Sequence, residues 1–195
     1  ALKPEDAFFK LAIEDIQAAA DLFAPLYQQT QGGDGYVSLE VSPNLAYDSE
    51  ATLVQAKEIW RRVNRPNLMI KIPATSAGLP AITAAIAAGI NVNATLIFSI
   101  DRYREVMEAY LKGLEQRLSV GLQLKDIASV ASFFVSRIDT AVDAALDELG
   151  HDELKGEAAI ASARVAYAHY CAVAEDDRWQ ELARRGARMQ RPLWA

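Results

Sequence analysis

An α/β fold with a parallel sheet covered by helices is what three observations predict. Segments with strand character recur every few dozen residues, and each is followed by a segment with helical spacing. The segment Asn67-Leu-Met-Ile-Lys-Ile-Pro-Ala-Thr75 is a short apolar run between Arg65-Pro66 and Pro73, the signature of a strand buried on both faces. Polar residues interrupt several of the strands at regular positions. A doubly wound sheet and a (β/α)8 barrel of TIM type both fit this alternation. Two features favour the barrel. No glycine-rich phosphate-binding turn follows any strand, and polar residues within strands suit barrels whose strand ends carry the chemistry.

The elements follow in order. Pro4-Glu5-Asp6 opens a helix, with proline and acids in the first turn, and Phe8, Leu11, Ile16, Leu22 and Phe23 give it an apolar stripe to about Tyr27. Gly32-Gly33-Asp34-Gly35 is a turn, and Tyr36–Val41 is a strand closed by Ser42-Pro43-Asn44. A second helix is capped near Asp48 or Ser49 and continues to about Val63. After the lysine-bearing strand, an alanine-rich helix runs from Leu79 to Ala88, and Gly89 ends it. Ile90–Ile97 is the third strand, Asp101 to about Ser119 a long helix, and Ile127–Val135 the fourth strand. Helices are expected from Asp139 to Leu149, from Lys155 to Cys171 and from Asp177 to Arg185. Arg188–Ala195 reads as the entry to a fifth strand. We find no linker, repeat or low-complexity stretch, so residues 1–195 read as a single unit.

Composition narrows the function. The chain has 195 residues, 51% of them hydrophobic and 24% charged, enough for one domain with a sizeable core. A net charge of −6 argues against a broad nucleic-acid surface. The single cysteine, Cys171, excludes an internal disulfide and favours a reducing compartment. His151 reads as a loop residue and His169 as a helix-face residue, with no metal-ligand partners at useful spacing. No apolar run is long enough to span a bilayer, and the N-terminal residues lack a signal-peptide layout. A cytoplasmic location is therefore expected, with no membrane and no metal.

Candidate chemistry lies on the strands. Lysine is almost never fully buried without a use, and a desolvated amine can form a Schiff base with a carbonyl. Lys71 is thus a candidate nucleophile; alternatively it sits in water on an edge strand or in a buried ion pair. Glu40 is a carboxylate near a strand's C-terminal end, costly to bury alone, unless that end is simply exposed. Asn91, Asn93 and Thr95 occupy alternate positions and so share one face of the third strand, with Val92, Ala94 and Leu96 on the other. Ser132, Phe134 and Ser136 also share a parity. Arg137, just past them, could hold a phosphate or pair with Asp139. A lysine nucleophile with an acid, hydrogen-bond donors and an anion anchor suits carbon–carbon bond chemistry on a phosphorylated ketose.

Four motifs, in order, carry a resemblance. Val-Ser-Leu-Glu-Val-Ser-Pro, Asn-Leu-Met-Ile-Lys-Ile-Pro-Ala-Thr, Ile-Asn-Val-Asn-Ala-Thr-Leu-Ile-Phe-Ser and Ala-Ser-Phe-Phe-Val-Ser-Arg-Ile-Asp resemble the successive strand motifs of the bacterial branch of the transaldolase family. The resemblance implies a (β/α)8 barrel and a transferase of carbohydrate metabolism. Such an enzyme moves a dihydroxyacetone unit from a ketose phosphate to an aldose phosphate in the pentose phosphate pathway, without cofactor or metal. It implies Lys71 as the Schiff-base lysine, Glu40 and Thr95 as holders of a proton-relaying water, and Asn93 as a hydrogen-bond donor to the covalent intermediates. Ser132 and Phe134 then line the pocket, and Arg137 binds phosphate. Glu40 points away from the related fructose-6-phosphate aldolases, which lack it. The family carries two strands before the helix at Pro4, with an acid/base aspartate and a further site asparagine, and an eighth strand at the other end. The chain is therefore expected to be an incomplete barrel, about strands three to six and the start of seven. A Schiff-base aldolase, or an inactive barrel fragment with an assembly role, are the alternatives.

Overall fold

A computed structural model describes residues 3–195. Its centre is a five-stranded sheet, all parallel, with the strands side by side in chain order: β1 (Val37–Glu40), β2 (Leu68–Pro73), β3 (Val92–Ile97), β4 (Ser129–Phe133) and β5 (Arg191–Trp194). The order never reverses, which sets the sheet apart from a doubly wound one. Among the described residues, α1 (Pro4–Gln29) precedes the sheet, and six α-helices connect its strands: α2 (Ser49–Val63), α3 (Gly78–Ala87), α4 (Ile100–Ser119), α5 (Ser136–Leu149), α6 (Glu157–Glu175) and α7 (Asp177–Arg184).

The two faces of the sheet differ. Leu39, Ile70, Ile72, Val92, Ala94, Ala131 and Phe133 pack with Ile59, Ile82, Ile86, Val106 and Leu114 of the helices into the main core. Tyr36, Met69, Ala128 and Val130 form a separate small apolar cluster near the N-terminal ends of the strands. Register places Glu40 beside Lys71, Lys71 beside Asn93, Asn93 beside Val130 and Val130 beside Arg191. Neighbours in parallel register share a face, so this row belongs with the small cluster and not with the helix-covered core.

Local chemistry accounts for the boundaries. Asp48 caps α2, its carboxylate accepting from the Ala51 N–H at 2.9 Å, and Ser99 caps α4 through the Arg102 N–H. Gly89, at φ +90°, follows α3 as expected. Helices α3 and α4 approach closely at Gly113, where an added Cβ would stand 2.7 Å from Ile86 Cβ and 2.8 Å from the Thr83 carbonyl oxygen.

Three expectations are corrected. β3 starts at Val92, not Ile90, because the Asn91 side chain takes over the ladder there. Its Nδ2 donates to the Leu68 and Pro66 carbonyls, both at 3.1 Å, and its Oδ1 accepts from the Ala128 N–H at 2.9 Å. β3 also carries an irregularity between Ala94 and Ile97, with Leu96 at φ +59°. The bulge reverses the parity, so Ile97, not Leu96, is the next core residue after Ala94, and Leu96 is exposed. β4 ends at Phe133, and Ser136 begins α5 instead of continuing a strand face.

At the N-terminal ends of the strands, Arg188 joins three segments. Its guanidinium donates to the Gln31 carbonyl at 2.7 Å, the Gly32 carbonyl at 2.5 Å and the Lys125 carbonyl at 2.9 Å. Gly32 sits at φ +74°, and a Cβ there would lie 2.8 Å from the guanidinium. Glycine meets both demands.

Candidate active site

The site is assembled by adjacent strands, Glu40, Lys71 and Ser132 from the C-terminal halves of β1, β2 and β4 and Asn93 from the second position of β3. Glu40 is the last residue of β1 and Lys71 the fourth of β2. Their side chains meet at 3.4 Å, Nζ to Oε2, and are 32% (Lys71) and 40% (Glu40) exposed. The lysine strand is otherwise buried, as expected of a run enclosed on both faces: Leu68, Ile70 and Ile72 are fully inaccessible. Lys71 is the exception. It is half-buried and ion-paired, so of the sequence alternatives the ion pair is present, at an accessible position.

Beside Lys71 lies Asn93 on β3, and its amide is held from both sides. The Ser132 hydroxyl on β4 donates to Asn93 Oδ1 at 2.8 Å, while Asn93 Nδ2 donates to the Ser38 hydroxyl on β1 at 3.3 Å. Asn93 and Ser132 are buried. Thr95 pairs in register with Pro73, just beyond the lysine. Its hydroxyl is buried and has no hydrogen-bond partner among the described residues. A buried hydroxyl without a partner is costly, on the order of 1–3 kcal/mol, and such orphans concentrate where function asks for them.

Phe134 and Arg137 stand past the strand end. The Phe134 ring stacks on Phe98 with centroids 5.0 Å apart, and the Arg137 guanidinium lies 4.7 Å from the Phe134 ring centre. Arg137 is exposed. The alternative pairing with Asp139 is not formed; that carboxylate accepts from the Ala159 N–H at 3.1 Å at the start of α6.

Glu40, Lys71, Asn93 and Ser132 thus form one connected patch across four strands, with Thr95 next to it and Phe134 and Arg137 at its rim. Asn91, expected on the same face, is spent on backbone groups and is not available to the patch. Two participants escaped the sequence reading. Ser38 lies two residues before Glu40 and so shares its parity, a signal that was present. Phe98 is brought to Phe134 beyond the Leu96 bulge, which no pattern announced. Among the described residues, no group of three His, Cys, Asp or Glu side chains is placed to hold a metal ion, and no helix is long and apolar enough to cross a membrane.

A profile of the Transaldolase/Fructose-6-phosphate aldolase family matches residues 1–183. The chain belongs to that family. Among curated members it is 56% identical to the transaldolase of Saccharopolyspora erythraea over 192 residues, 98% of this chain and 52% of that protein. It is 56% identical to the transaldolase of Thermobifida fusca over 194 residues, 98% of this chain and 53% of the relative. With the transaldolase of Mycolicibacterium smegmatis it shares 56% identity over 185 residues, 93% of the chain and 50% of the relative. The chain therefore spans about half the length of the curated relatives it matches.

Proposed function

We propose that these residues carry the Schiff-base chemistry of a transaldolase. The observation that carries the reading is the Lys71–Glu40 pair at 3.4 Å, set beside the Asn93–Ser132 hydrogen bond on one face of a parallel sheet. In this reading Lys71 attacks the C2 carbonyl of a ketose phosphate, water leaves, and an iminium forms. Cleavage of the C3–C4 bond releases an aldose phosphate and leaves the electron pair on the lysine-bound three-carbon enamine. The enamine then adds to the aldehyde of a second aldose phosphate, and hydrolysis frees Lys71. Glu40 moves the protons through a water shared with the unpartnered Thr95 hydroxyl. Asn93 hydrogen-bonds the covalent intermediates, Ser132 and Phe134 line the pocket, and Arg137 binds the phosphate, as an exposed guanidinium can.

The strand order, together with polar residues on the face away from the helices, supports a segment of a (β/α)8 barrel, completed by strands outside residues 1–195. We assign the enzyme to the cytoplasm on its composition and pathway. Sugar phosphates are its partners, with no nucleic acid and no membrane, and no cofactor takes part.

Borohydride trapping with fructose 6-phosphate, followed by peptide mass spectrometry, tests the reading on this chain and on one of the relatives' full length. The expected result is a reduced three-carbon or six-carbon adduct on Lys71 in the longer chain, lost in Lys71→Ala. No adduct in either chain would overturn the reading. An adduct with cleavage but no transfer to an added aldose phosphate would make the enzyme an aldolase.

A further inference from the structure

We infer that Ser38 is a positioning residue for this site, fixing the Asn93 amide beside Lys71; the inference rests on the Schiff-base reading above. An asparagine amide rotates over a broad range about its terminal torsion. One hydrogen bond leaves that rotation partly free, and two from opposite sides remove it. Ser132 holds Oδ1 at 2.8 Å from β4, and Ser38 holds Nδ2 at 3.3 Å from β1. Since β1 and β3 are not neighbours, the Asn93–Ser38 bond crosses over β2, the strand that carries Lys71.

Register puts this crossing in its place. Ser38 pairs with Met69 and Asn93 with Lys71, so the Asn93–Ser38 bond runs between the level of Lys71 and the level below it. The lysine stem therefore rises from a polar brace spanning β1, β3 and β4. An amide has two donor and two acceptor positions. Ser38 and Ser132 use one of each, leaving one N–H and one lone pair for a substrate-derived hydroxyl. Ser38 pairs one step below Lys71 and acts through Asn93, without itself touching the reacting atoms.

Removing the Ser38 hydroxyl leaves Asn93 in place but lets its amide turn. Misplacement of a group that orients an intermediate lowers the rate of the chemical steps more than substrate binding. The test uses a chain of the relatives' full length, with Ser38→Ala, Asn93→Ala, the double variant and Ser38→Thr. We expect Ser38→Ala to lower kcat about tenfold with KM for the ketose phosphate changed less than about twofold. The double variant should be no slower than Asn93→Ala alone, and Ser38→Thr, which keeps a hydroxyl, should recover most of the rate. Losses that multiply in the double variant, a Ser38→Ala rate near wild type, or a Ser38→Thr as slow as Ser38→Ala would each overturn the positioning role. Lys71→Ala in the same assay separates the two claims. Turnover that survives it refutes the Schiff-base reading, whereas a Lys71-dependent enzyme with multiplying losses refutes the role of Ser38 alone.

Discussion

Replacing Asn91 by alanine tests how the sheet is held together below the site. The side chain makes three hydrogen bonds to backbone groups at or just before the starts of the two neighbouring strands. Those to Leu68 and Ala128 are buried, while the one to Pro66 is partly accessible. Each buried group left without a partner costs roughly 1–3 kcal/mol, and a group that water can reach costs less. Taking the lower half of that range for the two buried groups gives a loss of about 3 kcal/mol. At a urea dependence of roughly 2–3 kcal/mol per molar, the unfolding midpoint should fall by about 1–1.5 M. Asn91→Asp sharpens the test. It keeps an acceptor for the Ala128 N–H but turns a carboxylate oxygen toward the two carbonyls that Nδ2 served. At neutral pH it should destabilise at least as much as alanine. A midpoint within about 0.3 M of wild type for Asn91→Ala, or an Asn91→Asp variant more stable than Asn91→Ala, would refute the bridging role.

Two other stability predictions follow from packing and charge. Gly113→Ala should lower stability by about 1–3 kcal/mol in spite of alanine's better helix propensity, because its methyl collides with Ile86 and the Thr83 carbonyl; a thermal midpoint equal to or above wild type would show that α3 and α4 separate freely. Arg178 donates to both carboxylate oxygens of Glu108 and of Glu115, tying α7 to α4. Chiefly this hydrogen bonding holds the Glu108 carboxyl below its ordinary value of 4.5. A folded-state value below the unfolded one contributes stability that is complete above pH 4.5 and disappears as pH falls through the lower folded value. The stability gap between wild type and Arg178→Met should therefore be flat near neutrality and narrow in acid. A gap that widens below pH 4.5 would contradict the pairing.

Most of the fold was legible because the sequence states its periods openly. Apolar or β-branched runs between turn signals located four strands and the entry to the fifth, proline with acids in the first turn located the helix start at Pro4, and the acidic cap Asp48 located that of α2. The boundaries that shifted did so where a side chain imitates backbone or the backbone departs from regularity. Asn91 reads as one more polar position in an alternating strand, and only the tertiary arrangement shows its amide serving the ladder. The Leu96 bulge is equally silent, since nothing about leucine advertises a positive φ, and with it the Phe98–Phe134 stack was hidden. Within the site, parity grouped Asn93 with Thr95 and Ser132 with Phe134 along their own strands, and it took the strand register to bring Glu40, Lys71, Asn93 and Ser132 onto one face. The parity of Glu40 along β1 contained Ser38, but a serine in a strand carries no chemical signal until its partner is in view.

Arg188 gives the sheet a property that strand pairing alone does not. β1 and β5 are the outermost strands and share no ladder, and an open parallel sheet can flatten or roll at little cost. By drawing the carbonyls of residues 31 and 32, before β1, and of Lys125, before β4, onto one cation just before β5, the chain clasps the base of the sheet. Lys71 and Glu40 lie toward the other end of their strands, so the tie that gathers these outer segments onto one cation is made on the side of the sheet away from the lysine.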